Sequence, residues 1–269
     1  MAETIPAPLK GKVAVVTGGS RGIGAGIAQT FARNGCTHIA ITYLANKNAA
    51  HQTLDAIREI NSSIKTCAFS ADVRDPESGK KVVEEALKQL GTDHIDIMVS
   101  NAAVVEMDAF PPAADLDHQS WSNILTAEAW TPFVLAREAV KYMPKGGRII
   151  LLSSTASKMA LGDPMTIYAV GKAALDTVAR NLATIYGPKY GVTVNSISVG
   201  ATVTDGMKAA MDSFGPGSLE WAASLSLMKR VGEVEDVADI VAFVASPQAG
   251  WITGNAVPAN GGTLSMLQS

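Results

Sequence analysis

The stretch that decides the fold is TGGSRGIG, Thr17 to Gly24, which directly follows the apolar run VAVV, Val13 to Val16. Three of its glycines, at 18, 22 and 24, lie where a short strand would pass into a helix. Without side chains there, backbone amides can approach a phosphate, and the helix N-terminus adds positive potential. A tight turn that binds nothing can have the same glycines, so the motif needs support from the rest of the chain before it predicts a dinucleotide cradle.

The rest of the chain alternates short apolar runs with longer amphipathic segments. The apolar runs predict strands at Lys12–Thr17, Thr37–Thr42, Ile64–Ser70, Ile95–Asn101, Gly147–Ser153 and Val192–Val199. The segments between and after them predict helices at Gly22–Asn34, Asn48–Ile60, Pro76–Leu90, His118–Met143, Ile167–Tyr186 and Glu235–Ala245, with Gly35, Gly91 and Gly187 as stop signals. Continuous apolar strands suit a parallel sheet that is covered on both faces. We therefore predict an α/β fold, a single-domain Rossmann-like doubly wound parallel sheet flanked by helices, over residues 1–269.

Composition limits the classes of function. The 269 residues are 47% hydrophobic and 17% charged, which suits one large globular domain. The net charge of −3 gives no bulk attraction to nucleic acid or to an anionic membrane, so neither is expected as a partner. The start MAETIPAPLKGK lacks a signal-peptide pattern, and no apolar run approaches the ~18 residues of a membrane span, so we expect a cytoplasmic protein. Two cysteines and four scattered histidines show no metal-ligand spacing, so no metal is expected.

Three side chains predict acid–base chemistry. Tyr168 and Lys172 are four residues apart on a predicted helix and therefore share one of its faces. The ammonium can stabilise a phenolate, which makes the tyrosine a usable proton donor at neutral pH. Ser154 ends the fifth predicted strand and could hydrogen-bond a substrate carbonyl. An aromatic residue packed beside a snorkelling lysine would explain the pair in isolation, but the serine and the glycine turn together favour an active site.

Several further segments carry a family resemblance. They are SADV around Asp72, VSNAAV at 99–104, YAVGK at 168–172, VGATVT at 199–204 and WITGNAVPANGG at 251–262. With TGGSRGIG, and with Ser154 fourteen residues before Tyr168, they resemble the short-chain dehydrogenase/reductase family from Gly11 to Gly262. Ser100, Ala103 and Val199 depart from the family pattern. Within the family, FVLAREAV, GGRIILLSS and GWITG are most similar to the fungal polyhydroxynaphthalene-reductase type.

The resemblance implies a nicotinamide cofactor and the residues that bind it. These are Gly18, Ser20, Arg21, Gly22, Ile23, Gly24, Asp72, Val73, Asn101, Tyr168, Lys172, Thr202 and Thr204. Within this set the family implies that Asp72 contacts the adenine, Lys172 the nicotinamide ribose and Thr204 the carboxamide. Since no acid lies between Ile39 and Lys47 to repel a 2′-phosphate, and Arg21 could pair with it, NADPH is the expected cofactor. A solvated surface cation is the alternative interpretation of Arg21.

One position departs from the catalytic pattern. Alignment of WSNILTAEAWTPF, residues 121–133, puts Glu128 where the family has an asparagine that holds a proton-relaying water. An ionised glutamate accepts hydrogen bonds but cannot donate them as an amide does. Glu128 could pair with Lys172 and displace the ammonium, or it could keep a proton relay as an acid or base itself. A third interpretation is that it tilts away from the site.

We therefore expect an NADPH-dependent carbonyl reductase that uses Ser154, Tyr168, Lys172 and Glu128. The resemblance implies a ketone of a cyclic or polyketide-like specialised metabolite as substrate, and a homotetramer or homodimer as the assembly. A predicted lid around residues 204–227 contributes methionines that could adapt to a bulky apolar ligand or could be core: Met207, Met211 and, next to it, Met228. The alternatives are a non-redox dehydration, isomerisation or cyclisation on the same fold, and a cofactor-binding scaffold without turnover.

Overall fold

The computed structural model describes residues 7–104 and 107–263 and contains a seven-stranded sheet. Its strands are β1 Val13–Val16, β2 His38–Tyr43, β3 Lys65–Ser70, β4 Ile97–Ser100, β5 Arg148–Ser154, β6 Thr193–Val199 and β7 Ala256–Ala259. They pair in parallel in the order β3-β2-β1-β4-β5-β6-β7. The prediction of a single doubly wound domain is confirmed.

Helices cover both faces of this sheet. They are α1 Gly22–Arg33, α2 Lys47–Ile60, α3 Ser78–Leu90, α4 His118–Leu125, α5 Thr131–Ala139, α6 Thr166–Tyr190, α7 Asp205–Phe214, α8 Ser218–Ser224 and α9 Val234–Ala245. Apolar residues of α1, α2 and α9 form one core with the sheet, and those of α3, α5 and α6 pack on the opposite face. Along β1, Ala14 and Val16 enter the first core while Val13 and Val15 enter the second. A strand buried on both faces has no polar alternation, which explains why VAVV reads as one continuous apolar run.

The predicted helix His118–Met143 is wrong as one continuous α-helix. After α4 the chain forms a π-helical turn, Thr126–Trp130, before α5 begins, and it ends in a 3₁₀ turn, Val140–Tyr142. Pro132 gives the physical reason, because it has no N–H to donate to the carbonyl of residue 128 and its ring crowds that carbonyl. The widened turn places Glu128 on a local irregularity, and such turns are frequent at functional sites.

The predicted helix stop at Gly187 is also wrong, whereas the one at Gly91 is confirmed. Gly91 has the left-handed conformation of a C-cap, with φ of 58°. Helix α6 instead continues through Gly187 and ends at Gly191, which has φ of 67°. Tyr186 and Tyr190 lie on either side of the predicted stop and pack edge to face, with ring centroids 5.7 Å apart. This contact between residues four apart favours the additional helical turn.

Both cysteines are free and buried. Burial raises the pKa of Cys36 and raises that of Cys67 to about 12, so both remain protonated thiols at neutral pH. None of the helices within residues 7–104 and 107–263 is long and apolar enough to cross a membrane.

Gly79 tests the packing of α3 against α5. A Cβ added there would lie 2.7 Å from the Leu135 nitrogen and 2.9 Å from the Thr131 oxygen, which are backbone atoms that cannot rotate away. We expect Gly79→Ala to lower the free energy of unfolding by about 1–2 kcal/mol, because overpacking costs more than the helix propensity gained. Urea denaturation measures the change. The exposed neighbour Lys80→Ala is the control and should stay within about 0.5 kcal/mol of wild type; equal stability of the two variants would contradict this packing.

Candidate active site

The candidate site lies at the carboxyl edge of the sheet, where β1 and β4 are neighbours. From β1 the strand order continues through β2, and from β4 it continues in the opposite direction through β5. The Asn101 amide nitrogen donates to the carbonyl oxygens of Thr17, at 2.9 Å, and Gly18, at 3.2 Å. The Thr17 hydroxyl in turn accepts from the backbone of Asn101 and Ala102, each at 3.0 Å. These bonds fix the crevice at the topological switch point, which is where open α/β sheets bind ligands.

The glycine-rich turn forms one wall of that crevice with bare backbone. Gly18 and Gly22 have φ of 65° and 54°, values that favour glycine. A Cβ on Gly24 would lie 2.3 Å from the Gly18 carbonyl oxygen, so the start of α1 can pack this closely only without a side chain. At the N-cap of α1, Arg21 makes no side-chain capping bond. The first amides of α1 are therefore suited to bind a pyrophosphate.

One cleft of about 600 Å³ contains nearly all the predicted site residues. Its lining includes Gly18, Ser20, Arg21, Gly22, Ile23, Gly24, Asp72, Val73, Asn101, Ser154, Tyr168, Lys172, Thr202 and Thr204. Glu128 is the exception, because it lies behind Lys172 and does not line the cleft. The structure thus brings together residues from six separate segments, as the family resemblance implies.

The polar part of the cleft is formed by the ends of β1, β2 and β3. Asp72 accepts three side-chain hydrogen bonds from Arg74, with an ion-pair distance of 2.8 Å. The Arg74 hydrogen bonds lower the pKa of Asp72, so it remains ionised at neutral pH. After β2 the lining residues 43–46 include no carboxylate. The segment after β2 therefore contributes no acid that would repel a 2′-phosphate bound by Arg21, and the Asp72 carboxylate in the same part of the cleft is paired with Arg74.

Lys172 and Glu128 form a buried ion pair. The Lys172 Nζ lies 2.8 Å from Glu128 Oε2 and also donates to the Leu152 carbonyl at 2.9 Å. Glu128 Oε1 accepts from the backbone N–H of Val104 at 3.0 Å. The two residues are only 4% and 1% exposed. The interpretation that Glu128 tilts away is therefore wrong, and direct pairing is confirmed.

The electrostatics of this pair favour a charged lysine. Burial by itself lowers the pKa of Lys172, but the negative charge of Glu128, with contributions from Tyr168 and the Glu128 hydrogen bond, outweighs it. The pKa of Lys172 consequently lies above its ordinary value, so the ammonium persists at neutral pH. An ammonium at this depth needs a partner, because an unpaired buried charge costs several kcal/mol.

Tyr168 and Ser154 lie beside this pair and face the cleft. The Lys172 ammonium is 5.6 Å from the centroid of the Tyr168 ring. Phe110 packs edge to face on the same ring, with centroids 5.8 Å apart. The Ser154 hydroxyl oxygen accepts from the Ala156 N–H at 3.1 Å, and so its own hydrogen is directed elsewhere. Both hydroxyl groups are accessible to a ligand in the cleft.

The apolar part of the cleft contains residues that no sequence motif predicts. They are Met107, Phe110, Met159, Leu161 and Met165, which lie beside Val104 of the VSNAAV motif and Trp221 and Leu225 of the predicted lid segment in the same lining. Three of them, at 159, 161 and 165, come from the segment between Ser154 and Tyr168. The sequence indicates that this segment lies near the site only because a predicted catalytic residue stands at each of its ends. Met207 and Met211 also line the cleft, but Met228 is 65% exposed and lines a separate smaller cavity. The prediction that Met228 contributes to this wall is therefore wrong.

Comparison with known proteins places the chain in a family. A family model described as Enoyl-(Acyl carrier protein) reductase matches residues 18–263. Short chain dehydrogenase asqE of Emericella nidulans is 38% identical over 97% of this chain and 97% of its own length. Versicolorin reductase stcU of the same fungus is 34% identical, over 94% of this chain and 96% of that protein. Hydroxynaphthalene reductase-like protein Arp2 of Metarhizium acridum is 31% identical over 97% and 98%.

Solved structures agree with this placement. A short chain dehydrogenase from Burkholderia cenocepacia in complex with NADP superposes with a TM-score of 0.86 at 32% identity, covering 96% of this chain and 99% of that chain. The reductase LugOII, which catalyses keto-reduction at C1 during lugdunomycin biosynthesis, gives a TM-score of 0.85 at 35% identity, with coverage of 96% and 99%. The chain belongs to the short-chain dehydrogenase/reductase family. It is an NADP-dependent oxidoreductase that acts on small molecules.

Arg21 gives a direct test of how the cleft selects its nucleotide. We expect Arg21→Ala to raise the Kd for NADPH by about tenfold or more, since a charge-assisted hydrogen bond contributes about 1.5–3 kcal/mol. The Kd for NADH, which lacks the 2′-phosphate, should change little. Fluorescence titration with each nucleotide measures both values. Arg33→Ala removes the same charge from the other end of α1 and is the control; equal weakening of NADPH and NADH binding by Arg21→Ala would contradict a phosphate contact.

Proposed function

We propose that the protein reduces a ketone of a cyclic or polyketide-like specialised metabolite with NADPH. The observation that carries this proposal is the apolar part of the cleft, which begins directly at Tyr168 and Ser154. Five methionines and two bulky aromatic residues line the cleft there: Met107, Met159, Met165, Met207, Met211, Phe110 and Trp221. Flexible thioethers and aromatic faces suit a bulky, apolar, ring-containing ligand.

The charges around the cleft favour a substrate without negative charge. Besides Arg21, Asp72 and Arg74 in the polar part, the charged residues that line it are Asp205, at the start of α7, and Lys172, whose charge is balanced by Glu128. Versicolorin reductase and the keto-reductase LugOII have chains similar to this one, and by their names both catalyse reductions. Their similarity supports a cyclic ketone as substrate here.

The reaction assigns one role to each polar group of the site. When bound in the cleft, NADPH would supply the hydride that the carbonyl carbon accepts. Ser154 donates its hydroxyl hydrogen to the carbonyl oxygen and so holds the carbon in place. Tyr168 gives its phenolic proton to that oxygen as the C=O double bond becomes the C–O single bond of the alcohol. Lys172 supplies positive charge beside the phenol, while the glycine turn, Asp72, Asn101 and the backbone and hydroxyl groups around Thr202 and Thr204 hold the cofactor.

The ion pair favours a second candidate function. Glu128 is a carboxylate in contact with Lys172, the cation beside Tyr168. If its proton exchange with Lys172 is part of catalysis, the site could carry out a non-redox dehydration, isomerisation or cyclisation, with Tyr168, Ser154 or Glu128 as the acid–base groups. The same residues would act in both candidate functions. The two differ in whether a hydride is transferred from the nucleotide to the substrate.

The segment around residues 204–227 is proposed as the substrate lid. It forms two short helices, α7 and α8, whose side chains Met207, Met211 and Trp221 contribute to one wall of the cleft. Thr204 caps α7 by accepting from the Met207 N–H at 3.1 Å. Movement of these helices would open the apolar part while the sheet holds the rest in place.

We also propose that the protein assembles as a homotetramer or homodimer in the cytoplasm. Trp251 is 99% exposed, and Phe243 on α9 and Ile185 on α6 are also exposed, so apolar surface is available for a second copy. Most of FVLAREAV, residues 133–140, is by contrast buried within the chain. Sedimentation equilibrium would test the assembly, and a monomeric mass would contradict it.

Tyr168→Phe tests the proton donor. We expect this variant to lose NADPH-dependent reduction by about 10²-fold or more, because the phenolic proton is absent while the ring can keep its packing against Phe110. NADPH oxidation, followed by absorbance with α-tetralone, phenanthrenequinone and related cyclic ketones and quinones, measures the rate. The Kd for NADPH should remain measurable and similar to wild type.

Tyr190→Phe removes a phenol from the far end of the same helix and is the matched control, with activity expected to be unchanged. Full activity of Tyr168→Phe would eliminate the proposed donor. Failure of the wild type to oxidise NADPH with every ketone and quinone would instead favour the non-redox candidate.

Glu128→Asn tests what the carboxylate does. If the reductase proposal is right, we expect reduction at a rate equal to or above wild type, because an amide can both accept and donate in a proton relay. The free energy of unfolding should fall by about 3–5 kcal/mol, since Lys172 loses its buried partner. Steady-state kinetics at saturating NADPH and chemical denaturation measure the two effects.

Glu138→Gln is the control, because Glu138 on α5 also forms ion pairs, with Arg137 and Lys141, but makes none with Lys172. Its catalytic rate should equal that of wild type. Loss of all product formation in a folded Glu128→Asn protein would contradict the expectation that an amide can replace this carboxylate, and would give the carboxylate a required catalytic role.

A further inference from the structure

Asp176 connects three elements that meet beside the candidate active site. It lies on α6, four residues after Lys172 and eight after Tyr168. One carboxylate oxygen accepts from the Ser157 hydroxyl at 2.7 Å, and the other accepts from the Ser196 hydroxyl, also at 2.7 Å. Both distances are typical of strong, charge-assisted O–H···O⁻ bonds. Each oxygen of the carboxylate thus holds a different part of the fold.

The two serines have different positions. Ser196 is 0% exposed in the middle of β6 and is therefore part of the rigid sheet. Ser157 belongs to the 3₁₀ turn Thr155–Lys158, which immediately follows Ser154. The N–H of Ala156 in that same turn donates to the Ser154 hydroxyl oxygen at 3.1 Å. The position of the turn consequently determines the direction in which the Ser154 hydroxyl can donate.

The carboxylate has no cationic partner of its own. Within the described parts of the chain no lysine, arginine or histidine lies within ion-pair distance of Asp176, so the two serine hydroxyls are its hydrogen-bonding partners. Its negative charge also contributes to the raised pKa of Lys172, four residues away. Asp176 does not line the cleft and so does not touch a ligand bound there.

We infer that Asp176 is a positioning residue that sets the Ser154 hydroxyl against the Tyr168 phenol by holding the Ser157 turn onto α6 and β6. The inference rests on the proposed function, because it concerns the two hydroxyls that act on the substrate carbonyl. A shift of about 1 Å between such groups is enough to reduce a rate by about 10²-fold, so a bond outside the cleft can control catalysis. Helix α6 already holds Asp176 in place, the Ser196 bond adds a second attachment to the sheet, and the Ser157 bond transmits the position of the carboxylate to the turn.

Kinetics of four variants test this division of roles. With phenanthrenequinone as probe, we expect Asp176→Ala to lower kcat by about 10- to 100-fold while the Kd for NADPH stays within about twofold of wild type. Asp176→Asn should recover most of the rate, because its amide can accept from one serine and donate to the other. Ser157→Ala should match Asp176→Ala, and Ser196→Ala should lower Tm with a change in kcat of less than about threefold, since the Ser157 bond remains.

A double variant and hydrogen exchange make the result decisive. The Ser157→Ala/Asp176→Ala protein should be no slower than Asp176→Ala alone, because both changes remove the same bond. Amide hydrogen exchange of the segment 153–159 in the NADPH complex should be faster in Asp176→Ala and Ser157→Ala than in wild type and Asp176→Asn.

The exchange measurement needs no turnover. It therefore tests whether Asp176 holds the Ser157 turn in place even if the protein reduces none of the probes. Unchanged exchange in Asp176→Ala would overturn the inference while leaving the proposed function intact. Additive losses in the double variant, or equal kcat losses in Ser157→Ala and Ser196→Ala, would likewise show that Asp176 supports the fold without positioning the site. Loss of reduction by Tyr168→Phe together with normal rates in Asp176→Ala would reject the inference alone.

Discussion

Parallel pairing forces the carboxyl ends of β1, β4, β5 and β6 onto one edge of the sheet, and every polar group of the site depends on this constraint. The interiors of the strands are buried on both faces, so the residues that line the cleft come from the carboxyl ends of strands, such as Ser154, and from the loops and helices that follow them. Asn101 links the ends of β1 and β4 directly, through the carbonyls of Thr17 and Gly18. The crevice is therefore formed by the fold before any nucleotide enters it.

A buried charge imposes the second constraint on the site. Glu128 balances the charge of the buried Lys172, which the Leu152 carbonyl also holds, and Glu128 lies in a π-helical turn whose presence follows from Pro132. The departure from the family asparagine thus preserves a charged lysine beside Tyr168 but replaces an amide with a group that only accepts while ionised. Asp176 adds another carboxylate on the same helix, and its contacts are with the turn after Ser154. Two acids that do not line the cleft therefore support the site: Glu128 pairs with Lys172, and Asp176 bonds the turn that follows Ser154.

The parts of the molecule that follow local rules could be predicted from the sequence. Strand and helix order follows from apolar runs and glycine stops, and the Tyr168–Lys172 relation follows from helical spacing. The π-helical turn could not be predicted, because a helical apolar pattern continues through it and only the position of Pro132 marks the change. The stop at Gly187 failed since contact between Tyr186 and Tyr190 outweighs a local signal. The apolar wall comes from four distant segments, including Met107, Met165 and Met211, and its assembly is a property of tertiary packing alone.

Deuterium transfer tests the central claim most directly, since the claim is that a hydride passes from a nucleotide at the switch point to a carbonyl carbon beside Tyr168. The enzyme is incubated with NADPH that carries deuterium at both C4 positions of the nicotinamide, together with cyclic ketones such as α-tetralone whose alcohol products keep hydrogen on the carbinol carbon, and the products are examined by mass spectrometry and NMR. The account predicts one deuterium per turnover, located on the carbinol carbon of the alcohol. A product that forms without deuterium would contradict it and would show that the buried acids of this site serve a reaction other than reduction.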